Sequence, residues 1–188
     1  MTERLIQNEL WKKFNRANFK LACPNYTPVG WFECDLFAVT KSDIGVEYEI
    51  KITRKDFRDD SKKTLKSEWR KLSSGWGREA AEGKHTLMAS KSTKAPNRFY
   101  YVVPEDLITF NEIPPWAGLI YIRFIPATEY HAERYHIYEV VKAPLLHKEK
   151  VKASVLDHMR GVFYWRYWNL RTKQKEIDEH RSSEEEVG

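Results

Sequence analysis

WFECDLFAVT at 31–40 and GVEYEIKIT at 45–53 decide the fold. Both stretches are rich in β-branched and aromatic residues, and Lys41–Gly45 between them carries turn chemistry, so together they predict a β-hairpin. Side chains alternate along a strand. In the second strand Glu47, Glu49 and Lys51 therefore share one face, while Val46, Tyr48, Ile50 and Ile52 share the other. In the first, Glu33 and Asp35 oppose Phe32, Cys34 and Leu36. Pairing Thr40 with Val46 across the turn sets Asp35 opposite Lys51, with Glu49 as its diagonal neighbour at roughly 7–8 Å between Cα atoms. Two carboxylates and an ammonium are thus expected on one face.

Outward from the hairpin, Ile6, Leu10, Phe14 and Ala17 recur at helical spacing and predict a helix over 3–17, with Thr2 as its N-cap. Pro24, Asn25, Pro28 and Gly30 mark a loop. Phe57, Leu65, Trp69 and Leu72 predict a second, basic helix over 54–72, and 73–97 reads as a long basic loop. RFYYVVP (98–104) and AGLIYIRFI (117–125) have the unbroken apolar character of central strands, and YHIYEVV (135–141) that of an edge strand. Val155, Met159, Phe163 and Leu170 predict a helix over 149–175. The order of elements predicts an α/β single domain with a mixed central β-sheet flanked by helices. Its expected parts are a core at 1–145, a C-terminal aromatic and basic helix at 146–175, and an acidic, flexible tail at 176–188.

Composition narrows the partner. Of 32 basic and 27 acidic residues, six acids and one arginine fall in 176–188, which leaves 31 against 21, or +10, in 1–175. A body that basic suggests nucleic acid, with solubility alone as the bland alternative. Apolar runs fall well short of the roughly 18 residues of a membrane span. The N-terminal stretch lacks the apolar run of a secretory signal. Two cysteines, at 23 and 34, make neither a disulfide framework nor a zinc pair. A cytoplasmic, reducing setting is the expectation.

Two carboxylates with room between them can hold Mg²⁺, which prefers oxygen ligands and keeps several waters. A metal there lowers the pKa of bound water and stabilises charge on a phosphoryl oxygen, and Lys51 beside it can orient water or steady negative charge. Asp35 followed by Glu49-Ile50-Lys51, between an N-terminal helix and a basic one, resembles the D…ExK motif of the PD-(D/E)XK, or restriction-endonuclease-like, superfamily. Cys34 stands where the superfamily name has Pro. The opening Glu3-Arg4-Leu5-Ile6 is similar to the helix of archaeal Holliday-junction resolvases of this superfamily, whose Glu joins the metal site. YEIKITRKDF, then Lys84-His85, PNRFYYVVPEDL and EIPPWAGLIYI, resembles small phage and bacterial members, and the likeness covers roughly 3–125.

The resemblance implies a restriction-endonuclease-like core and a nuclease that cleaves DNA in a bacterial or phage-infected cell. Asp35, Glu49 and Lys51 are then catalytic, with Mg²⁺ or Mn²⁺ held by Asp35, Glu49 and Glu3. Glu47 reads as a surface charge. Arg54, Lys55, Arg58, Lys62, Lys63 and Lys66 on the basic helix, with Lys84 and His85, are the expected nucleic-acid contacts. A solvated helix laced with i,i+4 pairs is the alternative. Phe163, Tyr164, Trp165, Tyr167 and Trp168, mixed with arginines, suit base stacking or, preferably, a homodimer interface. A non-hydrolytic nucleic-acid-binding or host-interaction protein on the same fold is the competing function, and an assembly protein acting through its tail and aromatic helix is a third.

Overall fold

The computed structural model describes the backbone of residues 1–63, 69–72, 75–78 and 82–185. Within these it describes every side chain except those of 15–17, 69–72, 75–78 and 175–185. The chain divides into two compact units, Met1–Val151 and Lys152–Gly188.

The first unit is a mixed sheet of six strands. They are β1 (Phe19–Tyr26), β2 (Cys34–Thr40), β3 (Gly45–Ile50), β6 (Arg98–Pro104), β7 (Gly118–Ile125) and β8 (Arg134–Val141), adjacent in that order. Strands β3, β6 and β7 run parallel, and the remaining neighbours are antiparallel. Helix α1 (Glu3–Asn18) begins at Thr2, whose hydroxyl accepts from Leu5 N–H at 3.3 Å. Its apolar stripe, Ile6 and Leu10, joins Leu36, Ala38, Val46, Tyr48 and Ile50 in the core of one sheet face. Helices α2 (Arg54–Asp59) and α3 (Lys84–Ala89) serve the other face, where Phe57 meets Tyr101 and His85 meets Trp116 edge to face. Because β3 has strands on both sides and both faces are covered, all six of its residues are buried.

The β2–β3 turn is tighter than expected. Thr40 and Ile44 close a three-residue loop, Lys41–Asp43, with Asp43 at φ +60° and the Thr40 hydroxyl accepting from Ile44 N–H. The register therefore moves by two residues, to Ala38↔Val46 and Leu36↔Tyr48. An even shift keeps every side chain on its expected face.

Other elements depart from the expectation. Phe19–Tyr26, whose Pro24 and Asn25 looked like a loop, is an edge strand, a position that tolerates proline. The basic helix stops at Asp59 and passes through a single 3₁₀ turn, Asp60–Lys62. Trp69–Leu72, expected as its C-terminal end, pairs antiparallel with Gly75–Arg78 (strands β4 and β5), inside the stretch expected to be loop. Helix α3 occupies that stretch too. Helix α4 (Ala153–Glu185) forms most of the second unit and continues through ten residues expected as flexible tail. Residues 146–151 belong to the first unit, tied by Leu146 N–H to Asn97 O and Val151 N–H to Asp43 O. Among the described residues no helix is long and apolar enough to cross a membrane.

Candidate active site

Continuing the β2–β3 ladder one step beyond Leu36↔Tyr48 sets Asp35 level with Glu49, on the same face. The Ile50 N–H donates to Asp35 Oδ2 at 2.6 Å and fixes that carboxylate against β3. Among the described residues nothing donates to its other oxygen. Glu3 reaches the same place through Gln7, whose amide donates to Glu3 Oε1 at 2.9 Å and to the Asp35 carbonyl at 2.9 Å. Burial raises the Asp35 carboxyl, and Glu49 and then Glu3 add their repulsion. Against the Ile50 N–H and Lys51, these lift it to about 7.

Glu49 has the opposite environment. Lys51 Nζ lies 2.8 Å from its Oε1, Lys63 also donates to Oε1, and Lys84 Nζ lies 2.6 Å from Oε2. Burial pushes this carboxyl up and Asp60 adds to that, but Lys84, Lys51 and Lys63 outweigh both and hold it below the ordinary range. Lys84 is fully buried and sits 2.6 Å from Glu47 Oε1 as well, with the Phe99 ring centroid 5.0 Å from its Nζ. Glu47 takes a further bond from Trp31 Nε1 at 2.7 Å, yet burial, reinforced by Glu49, leaves its carboxyl above the usual value.

Asp60 closes the cluster. Its Oδ1 faces Lys63 at 3.0 Å and Lys51 at 3.2 Å, and its Oδ2 meets His85 Nε2 at 3.0 Å and the Tyr101 hydroxyl at 2.8 Å. Glu47 Oε1 and Asp60 Oδ1 are buried and, among the described residues, are met by these ammonium groups alone. Three carboxylates, Glu47, Glu49 and Asp60, are thus matched by the three ammonium groups of Lys51, Lys63 and Lys84. Such a cluster survives in the interior because each charge is paired.

Asp35, Glu49, Lys51 and Glu3 therefore gather at one place, although Lys51 faces Glu49 and Asp60 rather than standing opposite Asp35. The expected nucleic-acid contacts scatter. Lys84 is buried in the cluster, which removes it from any phosphate, and Lys63 is half-buried beside Glu49. His85 is turned to Asp60, Tyr101 and Trp116. Arg54 pairs with Glu112, while Lys55 and Lys62 clamp Asp59. Arg58 is exposed, and Lys66 lies outside the described residues. Glu47, read as a surface charge, is fully buried, because β3 is central rather than half-exposed.

Asp60, Tyr101 and Trp31 had no part in the sequence expectation. A signal for buried countercharges existed in Glu47 and Glu49, alternating on a strand flanked by apolar neighbours. Nothing local identified which lysines would meet them, since Lys84 approaches from 35 residues away.

A divalent ion, if bound here, would be held first by Asp35. That carboxylate offers an oxygen without a hydrogen bond, in a field made negative by Glu49 and Glu3. Glu49 would be its second ligand, at the cost of giving up Lys63, the most exposed of its three ammonium partners. Among the described residues no three His, Cys, Asp or Glu side chains are placed to hold a metal together.

No protein-family model matches the chain, and no curated protein matches it. Among solved structures it is similar to the SPO1766 protein of unknown function from Silicibacter pomeroyi. The TM-score is 0.50 and the identity 14%, over 82% of this chain and 81% of that one. At that identity the likeness concerns the fold alone.

Proposed function

We propose that this chain is a metal-dependent nuclease that hydrolyses phosphodiester bonds, with DNA as substrate by its resemblance to the PD-(D/E)XK superfamily. The observation that carries the reading is the meeting of Asp35 and Glu49 on one sheet face, with Lys51 Nζ 2.8 Å from Glu49. Asp35 and Glu49 would hold Mg²⁺ or Mn²⁺, with Glu3 as a further ligand by the same resemblance. The ion supplies a water of lowered pKa and charge stabilisation at the phosphoryl oxygen. Burial alone would lower Lys51, but Glu49 and Asp60 raise it well above the ordinary lysine value, so it is an ammonium at neutral pH. It cannot serve as a base. Its role is to orient the attacking water and steady the developing negative charge. Glu47 and Lys84 hold Glu49 in place from beneath.

A cleavage assay over single-stranded, duplex, flap and junction DNA and over RNA, with Mg²⁺, Mn²⁺ or EDTA, tests the proposal. Asp35→Asn is the cleaner variant, because neutralising a carboxylate already pressed toward neutrality spares the fold. It should reduce metal-dependent cleavage to background with the unfolding midpoint at neutral pH unchanged or raised. Full cleavage by that variant would sink the assignment.

One observation favours a second reading, a non-hydrolytic nucleic-acid-binding protein on this fold. Both Glu49 oxygens are already engaged by ammonium groups. That reading predicts nucleic-acid binding with no heat of Mg²⁺ or Mn²⁺ binding in calorimetry.

A further inference from the structure

Helix α4 spans Ala153–Glu185, yet from Tyr164 to Gln174 every side chain except Arg166 is exposed. Four of these are large aromatics, Tyr164 (57% exposed), Trp165 (67%), Tyr167 (53%) and Trp168 (46%). Tyr164, Tyr167 and Trp168 fall within one third of the helix circumference at 100° per residue, and their rings touch: Tyr164–Trp168 centroids are 6.2 Å apart and Tyr167–Trp168 5.5 Å. Arg160 and Arg171 lie on the same side. A helix this long draws most of its stability from a packed apolar face, and aromatic residues are only middling helix formers. The face needs a partner.

Charge along the helix says which. Residues 158–175 contain Arg160, Arg166, Arg171, Lys173 and Lys175 and no acid. Residues 176–186 contain Glu176, Asp178, Glu179, Glu184, Glu185 and Glu186 against the single Arg181. Acids gathered at a helix C-terminus oppose the macrodipole, so α4 carries acids where a lone helix favours cations. A parallel copy would set cations against cations and acids against acids. An antiparallel copy sets the basic, aromatic stretch of each helix against the acidic stretch of the other and gives each acidic end a countercharge. A phosphate backbone laid along the aromatic face would meet those same acids.

We propose that α4 is the docking surface for a second copy of this chain, joined as an antiparallel helix pair. The dimer is isologous, with the same patch contributed by both protomers.

Sedimentation of the full chain across a concentration series should give twice the monomer mass, and raised salt should shift the equilibrium toward monomer. Tyr164→Ser with Trp168→Ser should return the monomer mass at concentrations where the parent is dimeric. Antiparallel order is read by charge reversal. Arg160→Glu, Arg171→Glu and Lys175→Glu in one sample, and Glu176→Lys, Asp178→Lys and Glu179→Lys in another, should each weaken self-association. The triple variants combined in one chain should restore it, because both halves of the pairing are then reversed together. A parent that stays monomeric over the whole series overturns the proposal. So does an unchanged dimer in the serine variant. A third overturning result is a monomer whose Trp168 fluorescence is quenched by single-stranded DNA, which would make the face a stacking platform.

Discussion

At the residue scale the cluster around Glu49 is an electrostatic balance in which each member depends on the rest. Lys84 is the clearest case: it is fully buried, and Glu47 and Glu49 both lean on it. Lys84→Met keeps the apolar stem but leaves two buried carboxylates short of a countercharge, which should cost about 3–5 kcal/mol in urea denaturation. A loss under 1 kcal/mol would mean that Lys51 and Lys63 can neutralise the site alone. Asp60 adds a pH dependence. Burial raises its carboxyl, but the His85 hydrogen bond and the charges of Lys84, Lys51 and Lys63 hold it far below the ordinary range. A depressed folded value stabilises the fold above the unfolded pKa of about 4 and loses that contribution as pH falls through it toward the folded value. Parent protein should therefore exceed Asp60→Asn in stability at pH 7, with the gap narrowing steadily from about pH 4 downward. A gap that is constant from pH 3 to pH 7 would remove Asp60 from the acid response.

At the element scale a close fit occurs where β7 passes β6. A Cβ on Gly118 would lie 2.5 Å from the Tyr100 ring and 2.6 Å from the Ala143 backbone nitrogen. The ring is itself held, stacked on Tyr48 and bonded to Glu139. Gly118→Ala should cost about 1–3 kcal/mol, since backbone rather than a flexible tip must give way. A wild-type denaturation midpoint would show that the ring can turn aside. Legibility followed the same division between local pattern and long-range packing. The hairpin was readable because its period of two is unbroken, and even a two-residue slip left Asp35 and Glu49 on a common face. Strand β1 was not, since Pro24 reads as a turn until its position at the sheet edge is known. Helix α2 looked about five turns long because Phe57, Leu65, Trp69 and Leu72 fit helical spacing. What ends it is tertiary: Lys63 turns to extended backbone and reaches Glu49, and the chain re-enters at Lys84, whose N–H bonds Lys63 O.

At the scale of the whole molecule, the proposed polyanion would have to find its cations outside the buried cluster. Lys84 and Lys63 are spent on carboxylates, so the +10 of residues 1–175 overstates the charge available to phosphates. Helix α2, with the 3₁₀ turn that follows it, retains exposed cations at Lys55, Arg58 and Lys62. It also adjoins the candidate site, since Asp56 Oδ1 is 3.6 Å from Lys51 Nζ. The pairs of Lys55 and Lys62 with Asp59 lie at the surface, where such pairs contribute little and yield readily to a phosphate. If the backbone of a duplex crosses this helix, each neutralised phosphate contributes about 0.9 to the log–log dependence of affinity on salt. Arg58→Glu with Lys62→Glu should then weaken binding alike on unrelated sequences and flatten that slope by roughly 1.8, because phosphate contacts carry no sequence information. Fluorescence anisotropy with two unrelated duplexes between low and moderate salt measures both quantities. An unchanged slope would place the duplex on another face of the protein. A loss confined to one of the duplexes would mean that these side chains read bases and not phosphates.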